Sequence, residues 1–442
     1  MIVHWFLGSL PHPKSARDPG GALLRHSCLQ RVHARNACGE PAIGACASLG
    51  SRARRGRYLI AVVLSGVATL WSLVIGSGRA FAAEADFQDA PFDEAHWSFQ
   101  GRDIHPVDAL DQKALRLDDG VAMLKDAPSF TTGIITYDVL FSSDSPMYSG
   151  LRFHGKDDGQ YEYFYLRAER NGMADANQYT PVINGDQGWQ IYSGPEFSSE
   201  EGYKRIGWNH VEMRIYRDSA DVFINGRRSL RIPELKTGYA GGYLALSSSF
   251  GPRFPFNQVY YANFRYNVTS IERPIDMPKP VRRDAAGLIR KWQVSDALST
   301  EQVAAIAHGG PSSTLHYREL DVETNGIANL SRVVVKKGSE TAAVARFVID
   351  ARKNGLRMMR FGYSDAVDIF VGGEPVFSGN AKFLARDSQY LGTVGFHDAV
   401  AVKLREGHNE IMFVVKESYG GWAAAAEFVD PDGLSGSALG RP

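Results

Sequence analysis

Apolar and polar positions alternate with a period of two through much of the chain, which is the pattern of β-strands. Between residues 150 and 167, two such runs are separated by a short cluster of Gly, Lys and Asp residues. In the second run, one face carries three tyrosines and Arg167, and the other carries Glu162, Phe164 and Leu166. Because both faces are largely aromatic or apolar, the pattern predicts a central strand that is covered on both sides.

Strand-like runs separated by turn residues continue through residues 84–270. The strongest hairpin signal is Asn225-Gly226, which lies between two apolar runs. No stretch of this region has the period of a long amphipathic helix. Regularly spaced strands over about 180 residues predict an antiparallel β-sandwich.

In the last part of the chain, residues 288–442, a short helix follows the opening segment 288–295, and strand-like runs then resume. Ser299 and Gln302 have the spacing of a capping box, which predicts the start of this helix. The runs that follow predict a second antiparallel sandwich of the jelly-roll type, with strands at residues 332–335, 343–349, 356–363, 367–371, 399–404 and 410–415. The Pro-containing segment 271–287 is predicted to be a linker. The predicted fold is therefore all-β, with two sandwiches.

The N-terminal residues differ from the rest in composition. Residues 1–52 show no sustained apolar period and are expected to be a disordered or mis-translated leader. Residues 53–83 combine arginines, an apolar run and Ala80-Phe81-Ala82, which predicts a secretory signal peptide. A membrane anchor is the alternative, since the apolar run is just long enough to span. Cleavage would leave a secreted or periplasmic protein without membrane attachment.

Charge and cysteine content narrow the possible partners. Residues 1–82 contain ten of the 49 basic residues but two of the 49 acidic residues, so the remainder has a net charge of about −8. A mildly acidic body without a basic stripe argues against a nucleic-acid partner. Cys28, Cys38 and Cys46 match no zinc-site spacing, and all three lie in the leader. The mature chain must then be stable without disulfides.

Two groups of motifs resemble known families. Residues 207–212 and 222–226, together with the aromatic strand 161–167, resemble concanavalin A-like lectin/glucanase (laminin G-like) sandwiches, a superfamily that includes domains related to 3-keto-disaccharide hydrolases. Residues 368–377 and 404–410 resemble galactose-binding-like jelly rolls. The resemblance implies a secreted bacterial protein in which a concanavalin A-like sandwich precedes a galactose-binding-like one.

In such sandwiches one sheet is concave and faces the ligand, although the sequence leaves open which face this is. The resemblance implies the following candidate binding residues: Arg152, Glu162, Tyr165, Arg167, Gln178, Tyr179 and Trp189. We expect Arg152, Glu162 and Arg167 to form a partly buried cluster whose positive surplus suits a carboxylate or a set of hydroxyl groups. The tyrosines of the strand would serve either as stacking surfaces or as core.

Other chemical motifs are weaker. Glu319, Asp321 and Glu323 have the form of the catalytic strand of laminarinase- and lichenase-type glucanases, but a coincidental, solvated acidic strand is the favoured interpretation. The histidines are dispersed, and no metal site or cofactor is predicted; calcium is compatible with the family, but no Asp-rich loop of suitable spacing specifies it. A further set of aromatics is interpreted as either sugar-stacking or core: Trp189, Tyr192, Trp208, Phe250, Phe254 and Phe256.

Together these patterns predict a secreted carbohydrate-binding protein that recognises an oligo- or polysaccharide through its first sandwich. Two alternatives stay open. One is a glycoside-active hydrolase or lyase that uses the groove of the first sandwich. The other is a structural or adhesion module without a small ligand. Whether the protein is an enzyme is not decided by the sequence.

The mature protein is expected to begin at or near Ala83, because Ala80-Phe81-Ala82 supplies small residues at the positions that signal peptidase recognises. N-terminal sequencing of the exported protein tests this expectation. A mature N-terminus upstream of residue 58 would contradict it.

Overall fold

A computed structural model describes residues 86–439, apart from residues 128 and 391 and the segments 142–147, 250–257, 308–313, 339–340 and 388–389. The expected leader, with its three cysteines, and the expected signal peptide lie outside the described residues. In the part of the chain that is described, no helix is long and apolar enough to cross a membrane.

Residues 88–268 form the first sandwich. Its strands are Gln88–Asp89 (β1), Trp97–Ala109 (β2), Gln112–Leu124 (β3), Thr132–Phe141 (β4), Tyr148–Asp157 (β5), Gln160–Leu166 (β6), Asn177–Ile183 (β7), Asp186–Gln187 (β8), Ser198–Ser199 (β9), Asn209–Tyr216 (β10), Ala220–Ile224 (β11), Arg227–Ile232 (β12), Tyr243–Ser249 (β13) and Val259–Val268 (β14). They pair antiparallel in the order β12-β11-β10-β4-β14-β3-β13-β5-β6-β7-β8, with β1, β2 and β9 attached at the side. The sheet curls around one hydrophobic core. The predicted sandwich is confirmed.

Strand β6 is the central, doubly covered strand that the alternation predicts. Phe164 and Leu166 lie in the main core. Tyr161, Tyr163 and Tyr165 pack together on the opposite side, which is called here the tyrosine face. Successive side chains of a strand point to opposite faces, so a residue's parity decides whether it reaches the core or the tyrosine face.

Residues 291–435 form the second sandwich. Its elements are Lys291–Ser295 (β15), Thr300–Ala307 (α1), Tyr317–Asp321 (β16), Ala328–Asn329 (β17), Ala342–Ala351 (β18), Gly355–Tyr363 (β19), Ala366–Val371 (β20), Glu374–Asn380 (β21), Asp398–Leu404 (β22), Gly407–Lys416 (β23), Ala423–Phe428 (β24) and Leu434–Ser435 (β25). One sheet has the order β16-β15-β18-β23-β20-β21, with β25 beside β18, and the other has the order β17-β24-β19-β22. Both sheets enclose a separate core. The second predicted sandwich is also confirmed.

Two local sequence signals are confirmed and one is wrong. Asn225 and Gly226 join β11 to β12 with positive φ angles of 51° and 78°, as a tight hairpin requires. Ser299 and Gln302 exchange the two hydrogen bonds of a capping box at the start of α1. The strand predicted at residues 332–335 is absent, because the chain forms a short 3₁₀ helix, Leu330–Arg332, instead.

The two sandwiches contact each other through apolar and polar side chains. The core cluster of the first sandwich takes in four residues of the second: Ile327, Val394, Ala423 and Ala425. The expected linker, residues 271–287, contains neither helix nor strand, and its Arg283 forms an ion pair with Glu427 of β24. The two sandwiches therefore share an interface that the prediction of a linker between them did not include.

Buried acids lie at this contact. The Nζ atom of Lys336 is 2.7 Å from Asp186 Oδ1 of the first sandwich and 3.8 Å from Glu417 Oε1 of the second. Burial, reinforced by the negative charges of Asp186 and Asp365, raises the pKa of Glu417 to about 8, although Lys336 opposes this shift. Glu417 is therefore protonated in the folded protein at neutral pH.

This pKa predicts that stability falls as the pH rises. Below pH 4.5 Glu417 is protonated in both the folded and the unfolded state, so it adds no pH dependence. Between pH 4.5 and about 8 only the folded state holds the proton, so each rise in pH favours unfolding. Glu417→Gln replaces the carboxyl group with an amide that carries no charge at any pH. The wild type should lose on the order of 3 kcal/mol in the free energy of unfolding between pH 5 and pH 8 because of Glu417, and the variant should not show this loss.

Urea unfolding of the wild type and the variant at pH 5 and pH 8 measures this difference. Glu374→Gln is the control, because Glu374 is an exposed carboxylate of β21. Equal pH dependence in the wild type and in Glu417→Gln would show that Glu417 is already ionised in the folded state.

Candidate functional site

An aromatic cleft with a volume of about 440 Å³ opens where the first sandwich meets loops of the second. It is called here the interface cleft. The first sandwich contributes Tyr148, the end of β6, the start of β7, the loop between these two strands and residues of the segment 189–198 after β8. The second contributes four side chains: Phe383, Tyr390, Thr393 and Tyr419.

Four of the predicted binding residues line this cleft: Tyr165, Arg167, Gln178 and Trp189. Tyr165 of β6 and Gln178 of β7 are register partners, so both project from the tyrosine face. The Tyr165 hydroxyl donates to Gln178 Oε1 at 2.8 Å, and Gln178 Nε2 donates to the Tyr192 carbonyl at 2.8 Å. Burial raises the pKa of Tyr165 well above its ordinary value, so its phenol stays neutral.

Glu162 and Tyr179, two further predicted residues, lie on the core side of the same strands. The Tyr179 hydroxyl donates to Glu162 Oε2 at 2.6 Å, and the backbone N–H and hydroxyl of Thr237 donate to Oε1 at 2.8 and 2.7 Å. Both residues are fully buried. Burial raises the pKa of Glu162, although these hydrogen bonds act against the shift. The pair anchors the loop after β12 and is not among the residues that line the cleft.

Arg152 lies at the other end of the tyrosine face. Its guanidinium is 4.5 Å from the centroid of the Tyr161 ring. Arg152 of β5 pairs with Tyr163 of β6. Tyr163 precedes Arg167 by four residues, so Arg152 and Arg167 are separated by roughly 13 Å along the strand direction. The expected cluster of Arg152, Glu162 and Arg167 is therefore wrong, because parity and distance along the strand separate its members.

Arg167 instead belongs to an ion quartet with Glu169, Arg170 and Asp175. Arg167 Nε donates to Glu169 Oε1 at 3.1 Å, and its Nη1 donates to Asp175 Oδ2 at 2.7 Å. Arg170 Nε donates to Asp175 Oδ1 at 2.9 Å. The quartet thus contains two cations and two carboxylates. The prediction of an excess of positive charge around Arg167 is therefore wrong.

Trp189 of the first sandwich contacts two aromatic rings of the second sandwich within the cleft. Its ring centroid is 6.0 Å from that of Phe383 in an edge-to-face arrangement and 6.1 Å from that of Tyr419. Phe383 and Tyr419 are each 53% exposed, unusually high for aromatic residues. Sequence reasoning missed both. The available signal was Tyr419 itself, an aromatic residue directly before Gly420-Gly421 and so in a tight loop.

The acidic motif of β16 does not form a catalytic face. Glu319 and Asp321 are exposed on the strand, whereas Glu323 lies beyond its end and has a side chain that is 8% exposed. Glu323 accepts hydrogen bonds from Arg332 Nε at 2.8 Å and from the Tyr192 hydroxyl. The expected solvated acidic strand is therefore wrong for Glu323, and coincidence stays the interpretation of the motif.

The other aromatic residues that the sequence suggested for sugar stacking are not among the described residues that line the cleft. Tyr192 is fully buried, whereas Phe250, Phe254 and Phe256 lie outside the described residues. Among the side chains that the structure describes, no group of three or more His, Cys, Asp or Glu is placed to hold a metal ion. The expectation that no cofactor is used stays a prediction.

Several solved structures are similar to this chain in fold. They include the carbohydrate-binding module CBM66 from Bacillus subtilis (12% identity, TM-score 0.30, 38% of this chain and 93% of that one), the Bacillus licheniformis β-glucanase (9%, 0.31, 41% and 96%) and a galectin-like protein from Bacillus subtilis (11%, 0.31, 42% and 96%). No family model and no curated protein matches the sequence. At these identities and TM-scores the likeness says nothing about activity.

Replacing Arg167 with alanine should lower stability. Its side chain is 18% exposed, and the substitution removes its contacts with Glu169 and Asp175, whose side chains are 14% and 20% exposed. Since solvent screens part of this interaction, the free energy of unfolding should fall by about 1–3 kcal/mol.

Chemical unfolding of Arg167→Ala measures this loss. Arg265→Ala is the matched control, since the ion pair of Arg265 with Asp89 is more exposed and should contribute less than about 0.5 kcal/mol. An unchanged stability in Arg167→Ala would show that the quartet does not help to hold the fold.

Proposed function

We propose that this protein binds an oligo- or polysaccharide in the interface cleft, as a carbohydrate-binding protein whose first sandwich supplies most of the site. The observation that supports this is the wall of aromatic rings formed by Trp189, Phe383 and Tyr419 beside hydrogen-bonding side chains. Rings of this kind stack against the apolar faces of sugars, and fixed polar groups orient the hydroxyls.

The polar groups of the cleft are already oriented. Gln178 is held by Tyr165 and by the Tyr192 carbonyl, and Ser193 and Ser198 line the same space. Both N–H groups of the Gln178 amide donate to the Trp189 and Tyr192 carbonyls, so its Oε1 can accept from a sugar hydroxyl. This fixed oxygen and the two serine hydroxyls can bond to sugar hydroxyls without much further loss of side-chain entropy. The volume of about 440 Å³ lies within the usual range for small-ligand sites.

The number of carboxylates among the described residues of the cleft favours binding as the function over glycoside hydrolysis. Glycoside hydrolysis generally needs two carboxyl groups that flank the scissile bond. Among the described residues that line the cleft, Asp175 is the carboxylate, and both Arg167 and Arg170 donate to it. A lyase needs a base, and Tyr165 is a poor one because burial keeps its phenol protonated.

We place the protein outside the cytoplasm. This proposal rests on the signal-like composition of residues 53–83. In an extracellular or periplasmic location, the cleft would be accessible to polysaccharides outside the cytoplasm.

Tyr419→Ala should weaken glycan binding by about tenfold or more, since it removes a half-exposed ring from the wall of the cleft. A glycan array identifies the ligand, and calorimetry with that glycan gives the affinity of the variant. Phe223→Ala is the control, because the Phe223 ring of β11 stacks on Arg214 of β10 and does not line the cleft.

The same preparations should be assayed for release of reducing sugar. Release by the wild type would favour the hydrolase alternative. Absence of binding to every glycan would favour the structural or adhesion alternative. Equal losses in Tyr419→Ala and Phe223→Ala would place the binding site elsewhere.

A further inference from the structure

The charged groups of the interface cleft compensate one another. Among the described residues that line it, three are charged: Arg167, Arg170 and Asp175. Glu169 contacts Arg167 from the adjoining turn. The ion quartet therefore has no net charge, and each guanidinium already donates to at least one carboxylate.

This arrangement disfavours an anionic ligand. A carboxylate or sulfate near Arg167 or Arg170 would also approach the negative oxygens of Asp175, which lies 2.7 Å from one guanidinium and 2.8 Å from the other. To gain a full ion pair, the ligand would have to displace an existing one in a partly buried place. Such displacement loses most of the electrostatic gain.

The remaining polar groups of the cleft are neutral. Burial raises the pKa of both Tyr148 and Tyr165, so these phenols carry no charge at physiological pH. Ser193 and Ser198 offer uncharged donors and acceptors, and Gln178 Oε1 offers an uncharged acceptor. Compensated charge, neutral hydrogen-bonding groups and aromatic rings together match a ligand that presents hydroxyls and apolar ring faces but no ionised group.

We propose that the ion quartet makes the cleft selective for uncharged oligosaccharides over those that bear uronate or sulfate groups. This inference rests on the proposed glycan-binding function. In it, Asp175 acts as the specificity determinant, because it neutralises two arginines that would otherwise attract acidic sugars.

The test compares neutral and acidic oligosaccharides of equal length by calorimetry at low salt. The neutral set is cello-, xylo- and laminari-oligosaccharides, and the acidic set is oligogalacturonides and oligoalginates. For the wild type, the tightest neutral ligand should bind at least about tenfold more tightly than any acidic one. Asp175→Asn should narrow this ratio by raising the affinity for the acidic set, and added salt should abolish that gain.

Asp276→Asn is the control variant, since it changes the net charge of the protein equally but removes a carboxylate that pairs with Arg231 and does not line the cleft. It should leave the ratio unchanged. Should Asp175→Asn fail to fold, the wild-type comparison still decides the matter. Tighter binding of acidic ligands by the wild type would overturn the selectivity, whereas no binding of either set would overturn the proposed function itself.

Discussion

The contact between the two sandwiches is the constraint on which the site depends, and Gln190 lies at its centre. Gln190 is fully buried. Its backbone N–H donates to the Gly420 carbonyl at 2.8 Å, and its own carbonyl accepts from the Val394 N–H at 2.8 Å. Its side-chain Nε2 donates to the Gly392 carbonyl at 2.9 Å. Both loops that carry the second sandwich's rings are thereby fixed beside Trp189, the neighbour of Gln190.

The same contact explains why glycine is required at residue 420. A Cβ atom there would lie 2.7 Å from the Cδ atom of Gln190, and the φ angle of 115° is strained for any other residue. The absence of a Cβ atom at residue 420 therefore leaves room for the buried side chain of Gln190. Tyr419, one residue earlier, is held by this backbone path, by the bond from its N–H to Asp365 Oδ2 at 3.2 Å and by the contact of its ring with Trp189.

Much of the fold follows from local sequence, but the site follows only in part. Period two and the Asn225-Gly226 turn are sufficient for several strands of the first sandwich, among them β6 and β11, since their physics is local. Alternation already placed Glu162 and Arg167 on opposite faces, so the expected cluster conflicted with the same pattern that predicted the strand. The ring partners of Trp189, Phe383 and Tyr419, are 194 and 230 residues away in the chain, and no local pattern indicates which loops will meet.

The polar character of the contact gives the cleft its geometry more than its stability. Glu323 accepts from Arg332 and from Tyr192, so a partly buried ion pair of the second sandwich is tied to a core tyrosine of the first. Buried ion pairs contribute little net stability against apolar packing, but their directional bonds allow one orientation. The cleft needs one fixed orientation of the two sandwiches, because its aromatic rings come from both of them. A sugar that touches both sides would, in turn, stabilise the contact by its binding free energy, so ligand affinity and the orientation of the sandwiches are thermodynamically linked.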